Sequence, residues 1–376
     1  MNKFVKVLFA LGLTVLMATP ALAEFNLYGS ARMSTFYTDA KAPAGVVGLD
    51  GKDTYQNLHY TLQTNSRLGA KFSTGDVTGQ IELGLEGNQN GNTVYTRLIY
   101  GVWKFDGGNL LVGQTYTPYT FFSEQVIGDD NDFIGFGATY DSRQPMIKVS
   151  LDNGLYLALI QPKSTAVVAG STVKSFMPKV AVGFDGKAGI VKGGLGFAYN
   201  AFSDKISADN NGGVGFSETI SSSLAYLHGA VDLNPFDVSL AAHYGQNLNN
   251  MGIGGRSLST AVFDTTTNKL EDADSYGGWL QLGYKLAENT KLDAGVGYVH
   301  DHNKAYEDLG GSKDSAKVSY FVNAQIKIAK GFMIVPEFDY FQFYKGYRAN
   351  SNALYVSSIP ETKSEWAAGA KWQMDF

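Results

Sequence analysis

The chain has 376 residues, of which 44% are hydrophobic, 13% aromatic and 17% charged. Its only long apolar stretch lies at the N-terminus and is too short for a spanning helix, so a helical membrane bundle is excluded. A formal net charge of -5 offers no basic surface for nucleic acid, and the absence of cysteine excludes disulfides and thiolate–metal sites.

Against only 9 Pro stand 44 Gly, 22 Tyr and 23 Phe. So many rings are hard to leave solvated in a disordered chain, and glycine with aromatics points to twisted sheet and tight turns. At the N-terminus Lys3 and Lys6 precede the apolar run Val7 to Met17 and the small-residue site Ala21-Leu22-Ala23. This is the pattern of a secretory signal peptide over residues 1–23, leaving residues 24–376 as one domain with no dividing linker. Its two lysines leave with it, which takes the charge from -5 to -7.

Beyond Glu24 the period is two. Leu58, Tyr60, Leu62, Leu68, Ala70 and Phe72 alternate with His59, Gln63, Asn65, Arg67 and Lys71, and the same split recurs from Lys317 to Ile328. Seven short turns are expected, at 74–76, 106–109, 152–154, 185–187, 234–235, 288–289 and 330–331. Eight further connections are expected near 38–56, 88–92, 118–142, 162–176, 203–218, 247–274, 302–315 and 345–361. Seven turns alternating with eight loops join sixteen strands. Such strands, long and apolar on one face, predict an all-β transmembrane antiparallel barrel with both ends on the short-turn side, rather than a soluble sandwich, barrel or propeller. The last strand carries Trp366, Ala368, Ala370, Trp372 and Met374 on one face and ends at Phe376. A C-terminal Phe on such a strand resembles the signal read by the outer-membrane barrel-insertion machinery.

Several segments resemble the general diffusion porins of Gram-negative outer membranes: Leu27-Tyr28-Gly29, Ser66 to Lys71, Thr96 to Gly101, Gly113 to Pro118 and Ala138-Thr139-Tyr140. The motif match covers roughly residues 25–145; beyond it, strand rhythm and the terminal Phe carry the likeness. The resemblance implies an outer-membrane homotrimer of sixteen-stranded barrels whose third extracellular loop, about 118–142, folds inward and narrows the pore. Leu27, Ala368 and Ala370 fall on the wall such a trimer would use. Two positions depart from the pattern. Asp141 stands where the family often has an Arg, with Arg143 two residues on, and Ser30 precedes Arg32 where a basic residue often follows Tyr-Gly directly.

Strand parity places Arg32, Arg67 and Arg97 on the lumen face, the last because Leu98, Tyr100 and Val102 are read as lipid-facing. An arginine facing lipid at mid-depth costs about 2–4 kcal/mol. Glu124, Asp129, Asp130 and Asp132 sit among six apolar residues in the third loop and are expected to face these arginines across the pore, with Lys71, Arg143 and Lys148 as secondary lumen residues. Unit charges about 8 Å apart at an effective dielectric near 20 interact by roughly 2 kcal/mol, enough for a sieving transverse field. The alternatives are arginines paired with Glu82 or Glu86 on the wall, and an ordinary acidic surface loop. Counting charges predicts a weak cation preference.

No catalytic residue or cofactor is expected. His300 and His302 give too few ligands for a metal, no Ser is singled out to pair with a His, and no phosphate loop is present. The function these residues imply is passive diffusion of small hydrophilic solutes and ions; the alternatives are a sugar- or anion-selective porin and a plugged-barrel enzyme or adhesin.

Overall fold

The structure, a computed structural model, describes residues 24–376 apart from 42–53, 89–90, 169, 207–214, 255–257, 265–266, 268, 309–311, 345, 350–355 and 360–362. The expected signal segment, 1–23, lies outside the described residues. No described helix is long and apolar enough to cross a membrane.

Sixteen antiparallel strands close into a barrel. They are β1 (Glu24–Lys41), β2 (Thr54–Leu62 and Arg67–Thr74), β3 (Val77–Asn88), β4 (Gly91–Phe105), β5 (Gly108–Tyr116), β6 (Arg143–Leu151), β7 (Leu155–Ile160) and β8 (Thr172–Ser175 and Lys179–Ala188). There follow β9 (Val191–Ile206), β10 (Phe216–Asp232), β11 (Phe236–Gln246), β12 (Ala273–Ala287), β13 (Thr290–Asn303), β14 (Asp314–Ala329), β15 (Phe332–Phe343) and β16 (Lys363–Asp375). Each strand pairs with the next, and β16 pairs with β1 in the register Ser30 to Asp375 and Ala40 to Glu365. Closure leaves no sheet edge, which lipid requires. Both described ends lie on the short-turn side: Glu24 sits opposite Ser73 beside the 75–76 turn, and Phe376 exchanges backbone hydrogen bonds with Gly29. The Phe376 ring occupies the space a Cβ on Gly29 would need, so a larger residue there would have to displace the ring.

The outer surface is apolar, with Leu27, Leu58, Leu195 and Val94 more than 60% exposed. Rings such as Tyr37, Trp366 and Phe338 mark it toward the long loops, and Phe236 and Tyr284 toward the short turns. An apolar band between aromatic belts is the outer face of a transmembrane barrel.

Three details of the sequence reading change. The turn expected at 185–187 lies at Gly189-Ile190: Ala188 pairs with Val191, and Gly189 has φ 61°, which suits glycine. Strand β2 is not continuous. Met33 pairs with Leu62 and Ser30 with Arg67, so two residues of β1 oppose the four residues Gln63 to Ser66. The excess of two leaves the inward and outward faces unchanged beyond the break. In β4 a bulge falls where Glu82 pairs with Leu98 but Leu83 with Thr96, leaving Arg97 as the extra residue. The parity therefore flips: Ile99 and Trp103 face outward, whereas Leu98 is buried and the Tyr100 hydroxyl donates to Gln80 on the inner face. Leu98, Tyr100 and Val102 are not the lipid-facing set. Arg97 is inward as expected, because of the bulge rather than simple alternation.

Candidate functional site

The connection between β5 and β6, residues 117–142, turns into the barrel. Phe133, fully buried, packs on Trp279 and Phe321 with ring centroids 6.4 and 5.4 Å away, and Phe136 lies 5.1 Å from Phe341. Its N-terminal arm is hydrogen-bonded to the far wall. Gln125 donates to Asp339 at 2.8 Å, and the Val126 and Ile127 amides donate to the Glu337 carboxylate at 2.7–2.9 Å. The tip then bends through Gly128 at φ 66°, Asp130 at 61°, Asp132 at 51° and Phe133 at 58°. Aspartate tolerates the left-handed region. For Phe133 it costs about 1–2 kcal/mol, which burial of the ring, worth roughly 1.5–3 kcal/mol, offsets.

The break in β2 receives this tip. Gln63 and Ser34 both donate to the Gly128 carbonyl at 2.7 Å, and the Thr64 amide and hydroxyl donate to Asp129 at 2.7 and 2.8 Å. Asp130 accepts from Arg32 at 2.7 Å, Lys371 at 2.8 Å and Asn65 at 2.7 Å. Burial by itself would raise the Asp130 carboxyl, but Lys371 and Arg32 outweigh it and hold it below the usual range. Asp132 lies opposite in character: burial, then the Asp130 charge, pushes it well above the usual range. Burial also pushes Glu124 up.

Between the tip and the wall lies a recess of about 590 Å³. It is lined by Arg32, Arg67, Arg97 and all four predicted loop acids, together with Arg143, Tyr116 and Phe122. The structure thus gathers the predicted residues but not as two facing rows. Arg32 touches Asp130 directly. Arg97, 1% exposed, is locked onto Glu82 at 2.7 Å, and Arg67 reaches the same carboxylate at 3.6 Å, so wall pairing holds for these two. Arg143 has no carboxylate partner among the described residues and lies 5.1 Å over the Tyr116 ring. Lys71 and Lys148 sit over the Tyr28 and Tyr156 rings, at 5.7 and 4.7 Å, outside the recess.

Sequence reasoning missed Lys371, although it stands on the polar face of β16 and alternation could have found it. It also missed the Gln63–Asn65 cradle, because period two does not reveal a paired insertion. Among the histidines, His228 bonds Asp185 at 2.8 Å and His302 bonds Asp314 at 2.8 Å. Among the described residues no group of three or more His, Cys, Asp or Glu could hold a metal.

No protein-family model matches the chain, and no curated sequence does. Solved structures do match. The outer membrane channel DcaP of Acinetobacter baumannii aligns over 95% of this chain and 99% of its own, at 20% identity and TM-score 0.69. The anion-selective porin from Comamonas acidovorans aligns over 94% and 100%, at 15% identity and TM-score 0.56. OmpF of Salmonella typhi aligns over 93% and 97%, at 16% identity and TM-score 0.54. The fold is therefore that of the outer-membrane porins.

Proposed function

We propose that this chain is an outer-membrane porin, a water-filled channel for passive diffusion of small hydrophilic solutes and ions. The observation that carries this reading is the charged recess inside a closed barrel whose outer face is apolar. Residues 1–23 act as the export signal, the long loops face the cell exterior, and the short turns and both ends of the mature chain face the periplasm. Phe376 is the residue offered to the insertion machinery, and three copies associate through the wall near β1 and β16. Planar-bilayer recording tests the reading: stepwise open-channel currents are expected, and a barrel that inserts without conducting would overturn it in favour of a plugged enzyme or adhesin.

A specific observation favours anions over the cation preference that charge counting predicts. Five cations stand at the recess: Arg32, Arg67, Arg97, Arg143 and Lys371. Five carboxylates, Glu82, Glu124, Asp129, Asp130 and Asp132, stand nearby, so the local count is balanced rather than acidic, and burial pushes Asp132 well up and Glu124 up, which tips that balance toward the cations. The zero-current potential across a KCl gradient should report chloride as the more permeant ion; a potassium preference would return the reading to unselective or cation-leaning diffusion.

A further inference from the structure

The first part of the connection between β11 and β12, residues 247–254, also enters the barrel. Leu248, Met251 and Ile253 are fully buried against Ala158, Ala181 and Leu224, inward-facing residues of β7, β8 and β10. One polar cluster lies at the edge of this apolar seam. Asp141, 3% exposed, closes the constriction loop and accepts from the Tyr119 hydroxyl at 2.8 Å and from Lys179. Lys179, fully buried at the start of the second segment of β8, also donates to the Met251 carbonyl at 2.6 Å. Gly252, at φ 103°, leaves the room: a Cβ there would lie 2.2 Å from an Asp141 oxygen. Asp141 is the residue that departs from the family motif in the sequence.

We propose that Lys179 and Asp141 are positioning residues that latch the 247–254 segment onto the constriction loop and so set the width of the channel on its long-loop side. Lys179 has no other anionic partner among the described residues, and a buried ammonium persists only where its donors are used. Its bonds go to two separate loops, so it joins them rather than bracing the wall. The apolar residues seal this side of the lumen, and the latch fixes how far the seal projects. Solutes then pass along the opposite wall, where the arginines stand. The inference rests on the channel reading above for its electrical readout, but not for its structural one.

The test uses the full-length protein in bilayers and in detergent. Lys179→Met and Gly252→Val are expected to raise unitary conductance and the size of uncharged polymer that is excluded, with the anion-to-cation permeability ratio little changed. Lys179→Arg should retain the parental values. The double variant should go no further than either single one, since both release the same loop. Gly252 lies in the loop and not in the barrel wall, so Gly252→Val carries the test should Lys179→Met fail to assemble. The chain has no cysteine. A Met251→Cys reporter should therefore resist a maleimide in the parental background and react in the Gly252→Val background, which reads loop release even in a barrel that does not conduct. Unchanged conductance, exclusion size and labelling in Gly252→Val would overturn the proposal. So would a double variant whose effect is the sum of the two.

Discussion

Two sides of one barrel use the same alternation to opposite ends. Along β6 to β10 the inward positions nearer the long loops include the apolar Met146, Ile160, Ala181, Ala198 and Leu224 beside the buried polar Lys179, Asn200 and Ser222, and two loops bury their own apolar residues there. Along β1 to β4 and β16 the inward positions include Ser30, Arg32, Ser34, Arg67, Glu82, Arg97 and Lys371, with the apolar Phe36 and Ala367 buried against Val126 of the constriction loop. On the first side the polar groups are already bonded to the loops, whereas on the second a charged recess stays open. The passage is thus defined by what fills one side as much as by what lines the other.

The largest effect is expected from breaking the seat of the constriction loop. Phe133→Ala removes a fully buried ring between Trp279 and Phe321 and should weaken loop packing by about 3–5 kcal/mol. The barrel strands do not depend on it, so the variant should assemble, with a larger and noisier single-channel current. An unaltered current would show that the loop is held by its hydrogen bonds alone.

The two adjacent tip aspartates sharpen the contrast next. Asp130→Asn leaves Arg32 and Lys371 without their shared anion, at a cost of about 1.5–3 kcal/mol in charge-assisted bonds. Asp129→Asn keeps an oxygen for Thr64, whose donors are uncharged, and should cost about 1 kcal/mol or less. Thermal release of the loop, followed by accessibility labelling, should rank them in that order; the reverse ranking would remove Asp130 as the anchor.

Arg67→Ala together with Arg143→Ala tests the wet side by itself. At about 8 Å and an effective dielectric near 20, each charge alters the energy of a permeant anion by roughly 2 kcal/mol before salt screening. Reversal potential should move toward cations while the melting temperature stays close to that of the parent. An unmoved potential would place the selectivity filter elsewhere.

Acid should act through Asp130 with a defined sign. Its carboxyl is held below the usual range, so the stability it contributes is complete above the unfolded value of about 3.9 and is lost as pH falls through its lower folded value. Tip release, seen as a conductance change, is expected only below about pH 3.9. The smallest effect is expected for Lys148→Gln, which removes a charge lying over the Tyr156 ring and outside the recess; a shift equivalent to less than about 1 kcal/mol would match such a contact.

The sequence by itself determined the barrel. Period-two alternation, turn residues and strand number are local properties, and lipid leaves closure as the only way to satisfy the backbone. Strand parity put Arg32 and Arg67 on the lumen face, and the family resemblance turned the acidic loop toward them. The sequence carried a sign of the dry side as well. Leu155 to Ile160 is apolar at every position, the mark of a strand covered on both faces, yet nothing local says what covers it. Only the tertiary structure decided that residues 247–253 do so, that Asp141 meets Lys179, and that Lys371 and Arg32 share Asp130 across 241 and 98 residues of chain. The bulge at Arg97 and the paired insertion at Gln63 to Ser66 were settled there too, since register is a relation between two strands. Charge count belongs to the sequence, but which carboxylates stay ionised depends on burial and neighbours, and these exist only once the chain is folded.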